Sequence, residues 1–135
     1  MPMYQPEIET MPQDQIRAHQ SKLLVQQVRN VYDNVPYYRA KMEAKGITPD
    51  DIHGLEDLHK LPFLSKNDLR EAYPYGLLAR PLKDCVRIQS TSGTTGRRVV
   101  AFYTQHDLDL WEDCCARAIM AAGGTKDDVV HVSYG

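Results

Sequence analysis

Cysteine is scarce: three of 135 residues, Cys85, Cys114 and Cys115, an odd number with two adjacent. Neighbouring side chains on a helix point about 100° apart, so a disulfide framework is poorly supported. No C-x-x-C or H-x-x-x-H spacing occurs, and no metal site is expected. Free thiols of this kind act ordinarily as small buried hydrophobes in a reducing compartment. An excess of one charge is missing too, since 16 Lys and Arg against 18 Asp and Glu leave a formal charge of −2. With no basic stripe, neither nucleic acid nor an anionic membrane is an expected partner. Apolar runs such as Val99 to Phe102 are far shorter than the roughly 20 residues of a membrane helix, and the polar stretch Met1 to Asp14 has no signal-peptide core. A cytoplasmic location is the expectation. Hydrophobic residues at 42% and charged residues at 25% suit a folded soluble domain rather than a disordered chain.

Pro2, Pro6 and Pro12 among polar residues predict an extended lead-in over residues 1–13 without packing of its own. From Asp14 to Val35, apolar Ile16, Leu23, Leu24, Val28, Val31 and Val35 recur mostly at three- and four-residue steps, the stripe of an amphipathic helix. Pro36 restricts the residue before it and suits a helix start, so a second helix spans Pro36 to Lys45, with Tyr37, Tyr38 and Met42 inward and Gly46 ending it. One-turn helices are expected between Thr48 and Leu64, where turn and cap residues separate Leu55, Leu58 and Leu61. Ser65-Lys66-Asn67-Asp68 has the form of a capping box, which starts a helix running to about Tyr73. Lys66 is out of place there, because a cation in the first turn opposes the positive end of the helix dipole. Either solvent screens it or an anion lies nearby, which makes Lys66 a candidate substrate-binding residue.

Beyond Gly76 the character changes. Cys85 to Gln89 and Val99 to Tyr103 are β-rich, and a Ser/Thr/Gly loop joins them. Thr104-Gln105-His106-Asp107 is a further capping-box match, opening a helix whose buried stripe is Leu108, Trp111, Cys115, Ile119 and Ala122 and which ends at Gly123-Gly124. Val129, Val130 and Val132 predict an interior strand within Asp128 to Tyr134. The division that results is a lead-in over 1–13, a helical segment over 14–84 and the start of an α/β domain over 85–135. No amphipathic helix follows to cover the sheet, so the chain reads as the front end of a longer, truncated protein. Apolar faces exposed by truncation favour self-association, as in a homodimer.

The loop carries the chemistry. Ser90-Thr91-Ser92-Gly93-Thr94-Thr95-Gly96 packs five hydroxyls and two glycines into seven residues, followed by Arg97 and Arg98. Glycines let successive backbone N–H groups point one way, hydroxyls add short donors, and guanidinium groups supply charge-assisted bonds, a combination suited to phosphate. It is not a Walker A loop, since the glycine spacing fails and the loop leads into a strand. A plain hairpin tip rich in turn residues has the same composition, and the residues alone leave both readings open.

Thr91-Ser92-Gly93-Thr94-Thr95-Gly96 resembles the phosphate-binding motif of the adenylate-forming enzyme superfamily. The surrounding chain is similar to the phenylacetate-CoA ligase family within it, through Val35-Pro36-Tyr37-Tyr38-Arg39, Leu61-Pro62-Phe63, Ser65-Lys66-Asn67-Asp68-Leu69-Arg70, Tyr73-Pro74-Tyr75-Gly76-Leu77 and Val130-His131-Val132-Ser133-Tyr134-Gly135. The resemblance extends over residues 13–135. It implies a mixed α/β fold: a helical N-terminal segment followed by the first strands and helix of such an enzyme's large N-terminal domain. It also implies adenylation of an aryl acid by ATP with Mg2+, then thioester formation with coenzyme A. By position, Thr91, Ser92, Gly93, Thr94, Thr95 and Gly96 grip the triphosphate, and Arg97 stands where relatives often have Lys. Many superfamily members place Pro-Lys after the loop, but Arg98-Val99 stands here, so that lysine's role is empty or moved. Tyr134 opens the family's Tyr/Gly-rich stretch near the aryl pocket, which makes it a candidate substrate residue, although a strand-end tyrosine in the core is the alternative. No catalytic residue falls within the chain on this reading, and the fragment alone is expected to be inactive. The competing readings are a stand-alone, non-catalytic phosphate-binding or interaction module and a related acyl-protein synthetase.

Overall fold

The computed structural model describes residues 3–92, 96 and 98–133. Their elements run α1 (Pro6–Glu9), α2 (Gln13–Asn34), α3 (Pro36–Ala44), α4 (Lys66–Glu71), β1 (Cys85–Ser90), β2 (Val100–Thr104) and α5 (Gln105–Ala121), with short 3₁₀ turns at Pro49–Asp51, Leu55–Lys60 and Leu82–Asp84. Two compact units result, one over Pro12–Gln105, the other made of the described residues up to Met11 and from His106 onward.

In the larger unit most of the periodic stripe turns inward, while Leu23, expected on it, is exposed. Val28 of α2 meets Met42 of α3 and Ile52, all three almost fully buried, and Leu24, Tyr32, Tyr38, Ile47 and Leu61 close around them. Burying a side chain such as Met42 contributes about 1.5–3 kcal/mol. The break between α2 and α3 is set by Pro36, which lacks an N–H and holds Val35 extended at φ −119° and ψ 88°. Two of the last carbonyls of α2 are taken up by one side chain: Arg39 donates from Nε to the Tyr32 carbonyl at 2.6 Å and from Nη2 to the Asp33 carbonyl at 2.7 Å. At the other end of α3, Gly46 has φ +68°. There the Ile47 N–H reaches the Met42 carbonyl at 3.0 Å and the Gly46 N–H the Glu43 carbonyl at 2.9 Å, the paired bonds of a Schellman stop. Ile47 thereby turns back onto the core.

The capping box at α4 forms as expected, with the Ser65 hydroxyl accepting from the Asp68 N–H and the Asp68 carboxylate accepting from the Ser65 N–H. The helix ends at Glu71, a little before Tyr73. β1 and β2 pair as an antiparallel hairpin, Ile88 opposite Phe102 and Ser90 opposite Val100, with a register irregularity between Cys85 and Arg87. An isolated two-stranded hairpin is marginal in water. Here the Tyr75 ring packs on Phe102 with centroids 5.5 Å apart and planes 38° apart.

The smaller unit departs from expectation in three places. The lead-in is not wholly extended: Pro6 occupies the first position of α1, where its fixed φ suits a helix start, and the Gln5 N–H donates to Glu9 Oε1 at 2.7 Å. It also has a contact of its own, from Arg117 Nη1 to Gln5 Oε1 at 3.1 Å. The expected stripe of α5 is not buried, since Leu108 is half-buried while Trp111, Cys115, Ile119 and Ala122 are exposed. An apolar stripe is buried only where a second surface meets it, and α5 has no buried residue among those described. Lastly, no strand forms over the described part of 128–134, and Val129 is fully exposed. Strand propensity expresses itself only beside a partner strand that takes up its N–H and C=O groups. The stop of α5 is as expected: Gly123 has φ +94°, and the Gly124 N–H bonds the Ile119 carbonyl at 2.9 Å.

Candidate functional site

The hydroxyl-rich stretch joins β1 to β2, whose last ladder pair is Ser90 with Val100. Its closing rung is unusual in composition. The Thr91 N–H donates to the Val99 carbonyl at 3.0 Å, but the Val99 N–H donates to the Thr91 side-chain oxygen Oγ1 at 3.1 Å. A hydroxyl thus stands where a main-chain carbonyl would complete the pair. Thr91 and Ser92 are exposed, as are Gly96 and Arg98. Gly96 has φ +128°, a conformation that L side chains rarely adopt, and an added Cβ would meet nothing within 4 Å. Glycine there answers to the backbone and not to crowding. Gly93, Thr94, Thr95 and Arg97 lie outside the described residues, as does Tyr134.

Lys66 is exposed at the first position of α4. The structure does not bring it into the ion pair of that region, which belongs to Lys41 of α3. Lys41 Nζ contacts Asp68 Oδ1, and the Tyr37 hydroxyl, with one proton to share, lies 2.9 Å from the same oxygen and 3.2 Å from Glu71 Oε2. Asp68 Oδ2 meanwhile accepts from the Ser65 N–H and hydroxyl, both at 2.6 Å. The Lys41 ammonium, with the Ser65 and Tyr37 donors, holds the Asp68 carboxyl well below the usual carboxylate range. The Asp68 carboxylate in turn, with burial and Glu71, pushes the Tyr37 phenol up to about 12. Both carboxylate oxygens of Asp68 are engaged, so this cluster ties α3 to α4. Sequence reasoning missed Lys41 and Tyr37, which lie 27 and 31 residues before their partner. Only their places on one face of α3, four residues apart, hinted at a shared contact.

A separate apolar groove of about 390 Å³ runs beside Leu24, Val28, Tyr38, Leu61 and Leu77. No charged side chain lines it, so it offers no counter-charge to a phosphate or carboxylate. Among the described residues no cluster of three His, Cys, Asp or Glu side chains could hold a metal ion, and no helix is long and apolar enough to cross a membrane.

No protein-family model matches the chain. Individual proteins do. A phenylacetate-coenzyme A ligase of Pseudomonas putida is 50% identical over 128 residues, which is 95% of this chain and 29% of that protein. Its counterpart in Escherichia coli K12 is 45% identical over the same share of both. The Thermus thermophilus enzyme is 43% identical over 133 residues, 98% of this chain and 30% of that one. The chain thus spans less than a third of the length of the curated relatives it matches. Among solved structures, 2-hydroxyisobutyryl-CoA ligase in the postadenylation state with 2-HIB-AMP superposes with a TM-score of 0.77 at 27% identity, over 87% of this chain and 26% of that one. The same ligase with 2-HIB-AMP and CoA in the thioesterification state gives 0.76 at 30% identity, over 89% and 27%. The chain is therefore a homologue of the phenylacetate-CoA ligases along nearly its whole length, with the mixed α/β fold of the N-terminal part of an adenylate-forming enzyme.

Proposed function

We propose that the chain is the nucleotide-gripping front portion of an AMP-forming aryl-acid CoA ligase acting on phenylacetate or a close analogue. The carboxylate of the acid attacks the α-phosphorus of MgATP, forming an acyl-adenylate and releasing pyrophosphate. The thiol of coenzyme A then attacks the acyl carbon, forming the thioester and releasing AMP and the thiol proton. The part assigned to this stretch is to hold the triphosphate: Thr91, Ser92, Gly93, Thr94, Thr95 and Gly96 supply hydroxyl and backbone donors, and Arg97 a cation. Their contribution is alignment and charge stabilisation, with no proton transfer. Mg2+ arrives with the nucleotide as part of the substrate. Lys66 and Tyr134 are assigned to the substrate side, the first as a solvent-facing cation, the second near the aryl pocket. The 135-residue stretch alone does not turn over substrate, and the complete enzyme works in the cytoplasm, with a homodimer as its proposed assembly.

One observation carries this reading: a hydroxyl- and glycine-rich stretch joins the paired strands β1 and β2 in a chain 43 to 50% identical to phenylacetate-CoA ligases. The test is pyrophosphate exchange into ATP by the full-length protein. Exchange that requires phenylacetate, with AMP released once coenzyme A is added, is expected. A folded protein that shows no acid-dependent exchange with any aryl acid contradicts the proposal.

A further inference from the structure

We propose that Thr91 has a positioning role besides any donor it offers the phosphates: through Val99 it fixes the two ends of the phosphate loop. The inference rests on the phosphate-loop reading above and divides the labour within it. The Thr91 hydroxyl oxygen is already engaged as the acceptor of the Val99 N–H at 3.1 Å, while the Thr91 N–H bonds the Val99 carbonyl at 3.0 Å. These two bonds clamp the chain on either side of the intervening residues, and the clamp lies one residue beyond the last ladder pair, Ser90 with Val100. A hydroxyl so engaged keeps its side chain in one rotamer and its oxygen turned toward β2. It also spares the Val99 N–H from being left unpaired at the base of the loop. The chain thus enters and leaves the loop from a fixed frame, and donors that are positioned beforehand make charge stabilisation more effective.

The residue type fits this task. A β-branched threonine has restricted χ1 freedom and favours strands, and it offers the oxygen that its isostere valine lacks. Serine keeps the oxygen and loses only the stiffening methyl. A clamp needs an acceptor directed across the hairpin, and Thr91 Oγ1 is used in that way.

The test compares T91V and T91S with the wild type in the full-length enzyme, reading KM for ATP, kcat and hydrogen exchange of peptides containing the Val99 amide in nucleotide-free protein. A double T94V/T95V variant reports separately on whether the loop handles nucleotide at all. Expected for T91V is faster exchange at Val99 before any nucleotide is added, together with a KM for ATP raised about five- to tenfold, the order of one lost hydrogen bond. T91S should keep slow exchange and stay within about twofold of the wild-type KM. A raised KM with unchanged Val99 exchange would mean direct contact with phosphate and would overturn the inference. Faster exchange with an unchanged KM would overturn it as well, by showing that the clamp does not matter to binding. If T94V/T95V also leaves nucleotide kinetics untouched, the phosphate-loop reading fails with it; if that double variant is impaired while T91V is not, only the positioning role is lost.

Discussion

The Tyr37 hydroxyl and the Asp68 carboxylate, 31 residues apart in the chain, meet at 2.9 Å and join α3 to α4. Lys41 closes on the same carboxylate oxygen, and its ammonium lies 5.9 Å from the centre of the Tyr37 ring. Asp68 also completes the capping box with Ser65, so one side chain both starts α4 and anchors it to the helix before it. Such doubling makes the contact sensitive to protonation at either end of the pH scale.

Stability should therefore fall on both sides of a broad plateau. The Asp68 pKa is lowered in the fold, so its contribution is complete above the ordinary carboxyl value of 3.8 and is lost as pH falls below it. The Tyr37 pKa is raised from 10.0 to about 12, so its contribution is complete below pH 10 and is lost as pH rises through about 12. Thermal melts of the full-length protein across pH check this. D68N should flatten the acid limb and Y37F the alkaline limb, each with a lower Tm on the plateau. A variant whose limb has the wild-type shape would show that its residue does not carry that limb.

Met42 is completely buried between Val28 and Ile52. Met42→Ala removes most of that side chain from a cluster with three buried members among the described residues, and it should destabilise by about 2–5 kcal/mol in urea unfolding. A loss below about 1 kcal/mol, outside the range for buried methionine, would mean that this cluster is not the centre of the helical unit.

Gly96→Ala tests the loop backbone by itself. At φ +128° an alanine is strained by about 1–3 kcal/mol, although no neighbour crowds the added methyl. An exposed tip can relieve that strain by shifting, so the expected signature is a raised KM for ATP with little change in Tm. An unchanged KM would show that the conformation at Gly96 is not the one that binds nucleotide.

Features signalled by near neighbours were legible from sequence. The stripe of α2, the Pro36 break, the Gly46 and Gly123 stops, the Ser65–Asp68 box and the hairpin each rest on residues within about a helical turn or one strand pair of one another. What escaped depends on partners far along the chain. The Lys41 and Tyr37 contacts to Asp68 and the Arg39 fork on the end of α2 need tertiary placement before they exist. Pro6 was ambiguous, since one fixed φ serves both extended chain and a first helical turn. Val129, Val130 and Val132 have strand composition, yet no strand forms there among the described residues, and the stripe of α5 has periodicity, yet Trp111, Cys115, Ile119 and Ala122 are exposed. Of the candidate site, the hydroxyl and glycine content of the loop was readable, whereas the use of Thr91 Oγ1 as an acceptor for the Val99 N–H was not.

The central claim is that the tip of the β1–β2 hairpin holds a polyphosphate. Its most direct test is a crystal structure of the full-length protein with a nonhydrolysable ATP analogue and Mg2+. The account predicts phosphate oxygens within hydrogen-bonding distance of backbone and hydroxyl groups in the Ser92 to Arg97 stretch, with the Thr91–Val99 clamp intact. Phosphates bound in a different part of the protein, with the tip facing only solvent, would contradict it.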